Sequence, residues 1–193
     1  MDKEIKKESS ALYFLRIGGT LLLICAIVAL VLSFVNTVTQ EKIAQNETEQ
    51  KRTAMVELFG SDKIEYTELD RLESDGERVE AVYRVAEDGS TVGYSVLVLS
   101  PGFGGDVQLM VAVTADKTVI GVKIVSMSET PGLGTRVDDA DYLSQYAGVT
   151  AGLSASEVDM ISGATKSSKA VLNGVVDALA ALDGHLGSGG VSK

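Results

Sequence analysis

The sequence predicts an α+β protein: an antiparallel sheet with packed helices, preceded by one N-terminal transmembrane helix. Three observations carry that expectation. Residues 17–35, IGGTLLLICAIVALVLSFV, contain no charged side chain, and an apolar run of about 20 residues spans a bilayer as a helix. Between residues 78 and 126, β-rich segments come in pairs joined by turn signals. Residues 170–182 place Ala170, Val171, Leu172, Val175, Val176, Leu179 and Leu182 on one stripe of a 3.6-residue period.

Residues 1–16 carry Lys3, Lys6, Lys7 and Arg16 against Asp2, Glu4 and Glu8, a net of +1; the whole chain is -10, so the remainder carries -11. The apolar run that follows shows no polar face, unlike a core helix, and no small-x-small cleavage site, unlike a signal peptide. It reads as a single membrane anchor over 17–37. Four basic residues precede it and only Lys42 follows closely. The positive-inside rule therefore puts residues 1–16 in the cytoplasm and the acidic remainder on the extracytoplasmic side.

Residues 38–60 are rich in Glu, Gln, Lys and Ala and end at Gly60, which predicts a helical stalk whose second half docks on the main domain. That domain is expected over 61–186. RVEAVYRVA (78–86) and TVGYSVLVLS (91–100) flank the turn EDGS; DVQLMVAV (106–113) and TVIGVKIVS (118–126) flank TADK. Two hairpins predict a sheet of at least four antiparallel strands. ETPGLGTR (129–136) reads as a loop. DDADYLSQYAG (138–148) reads as a short helix opened by aspartates and closed by Gly148. A last helix runs to about Gly184, with His185 near its end as a solvated or C-terminal helix residue, and 187–193 is a flexible tail.

Composition narrows the chemistry. The net charge argues against nucleic acid as a partner. One cysteine, Cys25, and one histidine, His185, leave no disulfide framework, iron–sulfur ligation or clustered zinc site, so no metal centre is expected. Whatever chemistry this chain does must use an organic cofactor or the common polar side chains.

The segment DMISGATKSS (159–168) opens the last helix. Ser162 or Thr165 suits a helix cap, which satisfies unpaired backbone N–H groups. The same residues suit a phosphate site, since Gly163 and Ala164 let an anion approach the helix start and Lys166 and Lys169 add positive charge. Taken alone, the residues leave both readings open. A P-loop does not fit, because Thr165 stands where Gly must precede the lysine.

Asp159, Ser162, Gly163, Ala164 and Thr165 match the flavinylation motif Asp-x-x-[Ser/Thr]-Gly-Ala-[Ser/Thr]. Together with ETPGLG, Gly93-Tyr94 and the N-terminal span, the chain resembles the G subunits of Rnf ion-translocating electron-transport complexes. These are relatives of the C subunit of the Na+-translocating NADH:quinone oxidoreductase. The resemblance implies FMN bound covalently through a phosphoester to Thr165, with Ser162, Gly163 and Ala164 around the attachment. Asp159 would be read by a flavin transferase during maturation. Thr130, Gly132 and Leu133 of the ETPGLG loop would meet the ring system, while Glu129 fixes the loop. Tyr142 and Tyr146 either shield the flavin or pack in the core.

What the resemblance implies for function is an electron-carrying subunit of a translocase, not catalytic alone. It would relay electrons between ferredoxin and NAD chemistry and ion transport in the inner (cytoplasmic) membrane. Its expected partners are the lipid bilayer and the other membrane subunits of the complex. One alternative is the equivalent flavin subunit of the quinone reductase, although that subunit usually carries an additional ectodomain stretch. The other is a cofactor-free anchored assembly module in which SGAT merely caps a helix.

Overall fold

The computed structural model describes residues 10–150, 152–154 and 156–187. The cytoplasmic N-terminus expected over 1–16 falls mostly outside them, as does the tail beyond residue 187. The chain divides into two units, Met1–Thr48 and Glu49–Lys193.

The first unit holds most of helix α1 (Ser10–Phe59). Within α1, Phe14–Thr37 is long and apolar enough to cross a membrane, and none of it is buried in the protein. Leu22 and Phe34 are each 71% exposed, so this surface is left for an apolar solvent to cover.

In the second unit, α1 ends at Phe59 and Gly60 takes a positive φ of 68°. The N–H of Gly60 reaches the carbonyl of Val56 at 2.9 Å, the glycine stop that closes many helices. The sheet then forms from β1 (Ile64–Glu68), β2 (Val79–Glu87), β3 (Ser90–Pro101), β4 (Asp106–Val113) and β5 (Val119–Met127). It is an antiparallel meander in sequence order. Asp88 and Gly89, both at positive φ, turn β2 into β3 with Glu87 opposite Ser90, the two-residue turn that matches strand twist. A 3-10 turn (Gly134–Asp138) and the short helix α2 (Ala140–Ser144) follow. The last helix, α3, covers Thr165–Gly187.

Both faces of the sheet are covered. On one, Val96, Val98, Leu109 and Val111 pack with Val171, Val175, Leu179 and Leu182 of α3. On the other, Tyr83, Val85, Leu97 and Met110 pack with Ala54 and Met55 from the end of α1. This explains why β4 is nearly all buried rather than alternating.

The sheet meets the expectation of at least four antiparallel strands and adds a fifth, β1, whose only buried residue is Ile64. Other expectations are corrected. The helix expected to close at Gly148 ends at Ser144, because the Gly148 N–H bonds the carbonyl of Val119 at 2.8 Å and ties the chain to β5. α3 continues through Gly184. Of the two alternatives for His185, the structure shows the C-terminal helix residue: it lies in the last turn of α3, is 9% exposed, and its Nε2 lies 3.1 Å from Oδ1 of buried Asp75.

Candidate functional site

Three loops converge at one end of the sheet. The first joins β3 to β4, closed by a 2.9 Å bond from the Gly102 N–H to the Gly105 carbonyl. The second follows β5, and the third leads into α3. Glu129, 8% exposed, holds the first two together. Its Oε1 accepts the Phe103 N–H at 2.7 Å and its Oε2 the Gly104 N–H at 3.2 Å. Charge-assisted bonds of this kind are stronger than neutral ones.

Beyond Glu129 the backbone folds on itself. The Thr130 carbonyl accepts the N–H groups of Leu133, Gly134 and Thr135 at 3.0–3.3 Å. Gly132, at φ 75°, donates its N–H to the Thr135 hydroxyl at 2.9 Å. This compact loop pushes Leu133 outward, 43% exposed.

The third loop meets it there. Gly163 has φ 83°, and a Cβ at that position would stand 3.1 Å from Cδ1 of Leu133. A side chain is thus disfavoured twice, by backbone conformation and by space. Buried Ser168 accepts the Ile161 N–H at 3.1 Å and fixes the entry to α3. Thr165 is the first helical residue and is exposed, so its hydroxyl is open to solvent beside the unpaired N–H groups of the first turn. Ala164 precedes the helix, and neither Ser162 nor Thr165 occupies the cap position.

Between the loops lies a cleft lined by Phe103, by Thr130, Leu133 and Gly134, and by Gly163, Ala164, Lys166 and Ser167, with Glu129 joining them. Phe103 is 71% exposed, and the Lys166 ammonium sits 5.9 Å from its ring centroid. An apolar slot beside an exposed hydroxyl at a helix N-terminus suits a planar ring system carrying a phosphate.

The chain from 102 to 180 matches the FMN-binding domain, and residues 14–70 match the RnfG N-terminal region. The G subunit of an ion-translocating oxidoreductase complex from Methanosarcina acetivorans is 32% identical over 176 residues, covering 86% of this chain and 94% of the relative. The chain belongs to the RnfG family. The G subunit of the Na+-translocating ferredoxin:NAD+ oxidoreductase complex of Acetobacterium woodii is 27% identical, over 83% of this chain and 87% of that one. In fold, the chain is similar to the crystal structure of Shewanella oneidensis NqrC, with a TM-score of 0.57 at 17% identity, covering 75% of this chain and 99% of NqrC.

In this member of the RnfG family, the residues singled out in the sequence do not all lie in one place. Thr130, Leu133, Gly163 and Ala164 line the cleft. Asp159 and Ser162 line a second hollow, with Arg136, Asp139, Asp141 and Tyr142. Asp159 is exposed, and its N–H is held by Gln145 Oε1 at 2.8 Å. Gly132 shapes the loop from outside the cleft. Tyr146 is fully buried, its hydroxyl 3.1 Å from that of Tyr142. Burial, then the bond to Tyr142, pushes the Tyr146 phenol well above the usual range. Phe103 escaped sequence reasoning. The signal for it was an aromatic side chain set among the glycines of SPGFGG, where a turn alone has no use for one.

Proposed function

We propose that this chain is the FMN-carrying, membrane-anchored electron-relay subunit of an ion-translocating ferredoxin:NAD+ oxidoreductase complex, with FMN joined to Thr165 through a phosphoester. The observation that carries the reading is the meeting of the SGAT turn and the TPGLG loop across one cleft, with Gly163 against Leu133.

The residues present fit FMN. The Thr165 hydroxyl is exposed at the start of a 23-residue helix, where backbone dipoles favour a phosphate. Phe103 and Leu133 offer apolar surface within reach of that helix start. Gly163 leaves room that any side chain would fill. When bound, FMN supplies electron transfer itself, and the protein supplies orientation and charge. No side chain here needs to act as acid, base or nucleophile during turnover; Thr165 is an attachment point. The tether keeps the carrier loaded where free FMN would diffuse away.

In this reading Phe14–Thr37 crosses the cytoplasmic membrane, with the N-terminus inside and the FMN domain outside. The span of 17–37, the stalk of 38–60 and the FMN domain of 61–186 are its functional parts. A flavin transferase attaches the group, with Asp159 and the hollow beside it as the recognition feature. The Thr130 and Gly132 backbone shapes the face presented to the ring.

The test is the intact mass of the chain co-expressed with a flavin transferase. The expected result is a gain equal to FMN less one water, lost in Thr165→Ala. An unmodified mass beside an active transferase on a control substrate would return the cofactor-free assembly module to first place.

A further inference from the structure

Among the described residues, Lys166 is the one cation lining the cleft. The only carboxylate lining it among the described residues, Glu129, has both oxygens engaged by backbone N–H groups. No carboxylate among the described residues forms an ion pair with Lys166. Its ammonium lies instead over the exposed Phe103 ring, 5.9 Å from the centroid, within the range at which a ring face attracts a cation. Helical geometry separates its role from that of its neighbour: Thr165 is exposed without lining the cleft, whereas Lys166 lines it.

We propose that Lys166 sets the charge balance of the cleft, its ammonium favouring the reduced, more negative flavin and so raising the potential of the carrier. The proposal rests on the reading of FMN at Thr165. A flavin that takes up two electrons and one proton becomes one unit more negative than in its oxidised form. A cation lining the same cleft would favour that product, and a cleft walled by apolar groups screens the attraction less than open water does. Phe103 holds the ammonium at the cleft instead of releasing it to solvent.

The experiment is a redox titration of the full-length chain in detergent at low ionic strength, after FMN loading has been checked by intact mass. Dithionite supplies the electrons and is oxidised to sulfite; water supplies the proton. Lys166→Met is expected to lower the midpoint by about 30 mV, a tenfold change for a two-electron couple. Lys166→Glu lowers it further, Lys166→Arg keeps it near the wild-type value, and Lys63→Met, an exposed charge outside the cleft, leaves it unchanged. An order set by charge is something a purely structural role would not produce.

Equal midpoints in the Met, Glu and wild-type chains, all loaded, would overturn the proposal and leave the FMN reading standing. So would an equal shift in Lys63→Met, which marks a general surface field. If Lys166→Met fails to load while Lys166→Arg loads, Lys166 serves the tethering reaction and not the potential. A wild-type chain that carries no FMN sinks both readings.

Discussion

Glu129 and Gly163 are the residues on which the cleft's shape turns, and they act by opposite means. Glu129 contributes a buried charge that two backbone N–H groups satisfy. In Glu129→Gln one of these meets an amide donor in place of an acceptor, and a hydrogen bond to a charged group is worth about 1.5–3 kcal/mol. The expected outcome is a lower melting temperature of the full chain together with reduced FMN loading by intact mass; unchanged melting would show that the loop holds its shape without the carboxylate. Gly163 contributes an absence. In Gly163→Ala, adopting φ 83° costs about 1–2 kcal/mol, and the new methyl presses on Leu133. Loading should fall far more than stability, and normal loading with normal kinetics would remove Gly163 from the attachment site. Glu129 was expected to fix its loop only through the resemblance carried by ETPGLG, because the N–H groups it accepts belong to Phe103 and Gly104, 26 and 25 positions away. The contact of His185 was not legible in the sequence: its partner Asp75 lies 110 positions away, and no local pattern announces a pairing made by tertiary folding.

At the level of elements, the sheet is shaped by what lies on its two faces. Gly174 of α3 lets that helix approach β4 closely, for a Cβ there would stand 2.7 Å from Cδ2 of Leu109. Gly174→Ala gains about 1 kcal/mol of helix propensity and loses about 1–3 kcal/mol to overpacking. The net expectation is a lower melting temperature, and a rise would mean that Leu109 has room to turn aside. On the opposite face, Gly93 and Gly121 admit Phe59 and Leu58 from the end of α1, and Tyr83 is buried among them. Burial, reinforced by the charges of Glu68 and Glu80 and by Tyr66, pushes the Tyr83 phenol up to about 12 from its ordinary value of 10.0. The folded state therefore keeps its proton after the unfolded chain has lost it. The stability this contributes is complete below pH 10 and disappears as pH rises toward 12. Thermal melts across that window should show a smaller alkaline loss in Tyr83→Phe than in wild type; parallel losses would mean that the phenol titrates freely. The four predicted strands were legible because each hairpin carries its own turn residues. β1 was missed because an edge strand of five residues with a single buried side chain leaves almost no periodic signal. The double coverage was hidden for a related reason: a strand buried on both faces reads as a plain apolar run.

At the scale of the whole molecule, the sequence divides cleanly in the kind of surface it makes. The apolar span stood out because it has no polar face at all, and the structure keeps Phe14–Thr37 exposed along its length. Among the described residues, every buried core residue lies in the unit that begins at Glu49: the lowest numbered are Ala54 and Met55, and the highest is Leu182. The span therefore contributes nothing to either core, and its apolar surface is a cost only where water surrounds it. Two outcomes follow from that separation. The full chain should remain in the membrane fraction after an alkaline carbonate wash, as a spanning helix does and a peripheral one does not. A chain starting at Glu49 should be soluble, melt in one cooperative transition and still gain the FMN mass when co-expressed with the transferase, because both sheet faces and all three cleft loops are inside it. Release of the full chain by carbonate would remove the spanning helix. A shortened chain that aggregates would show that α1 before residue 49 supports the fold after all, and one that folds but stays unmodified would place the transferase's point of contact upstream of the FMN domain.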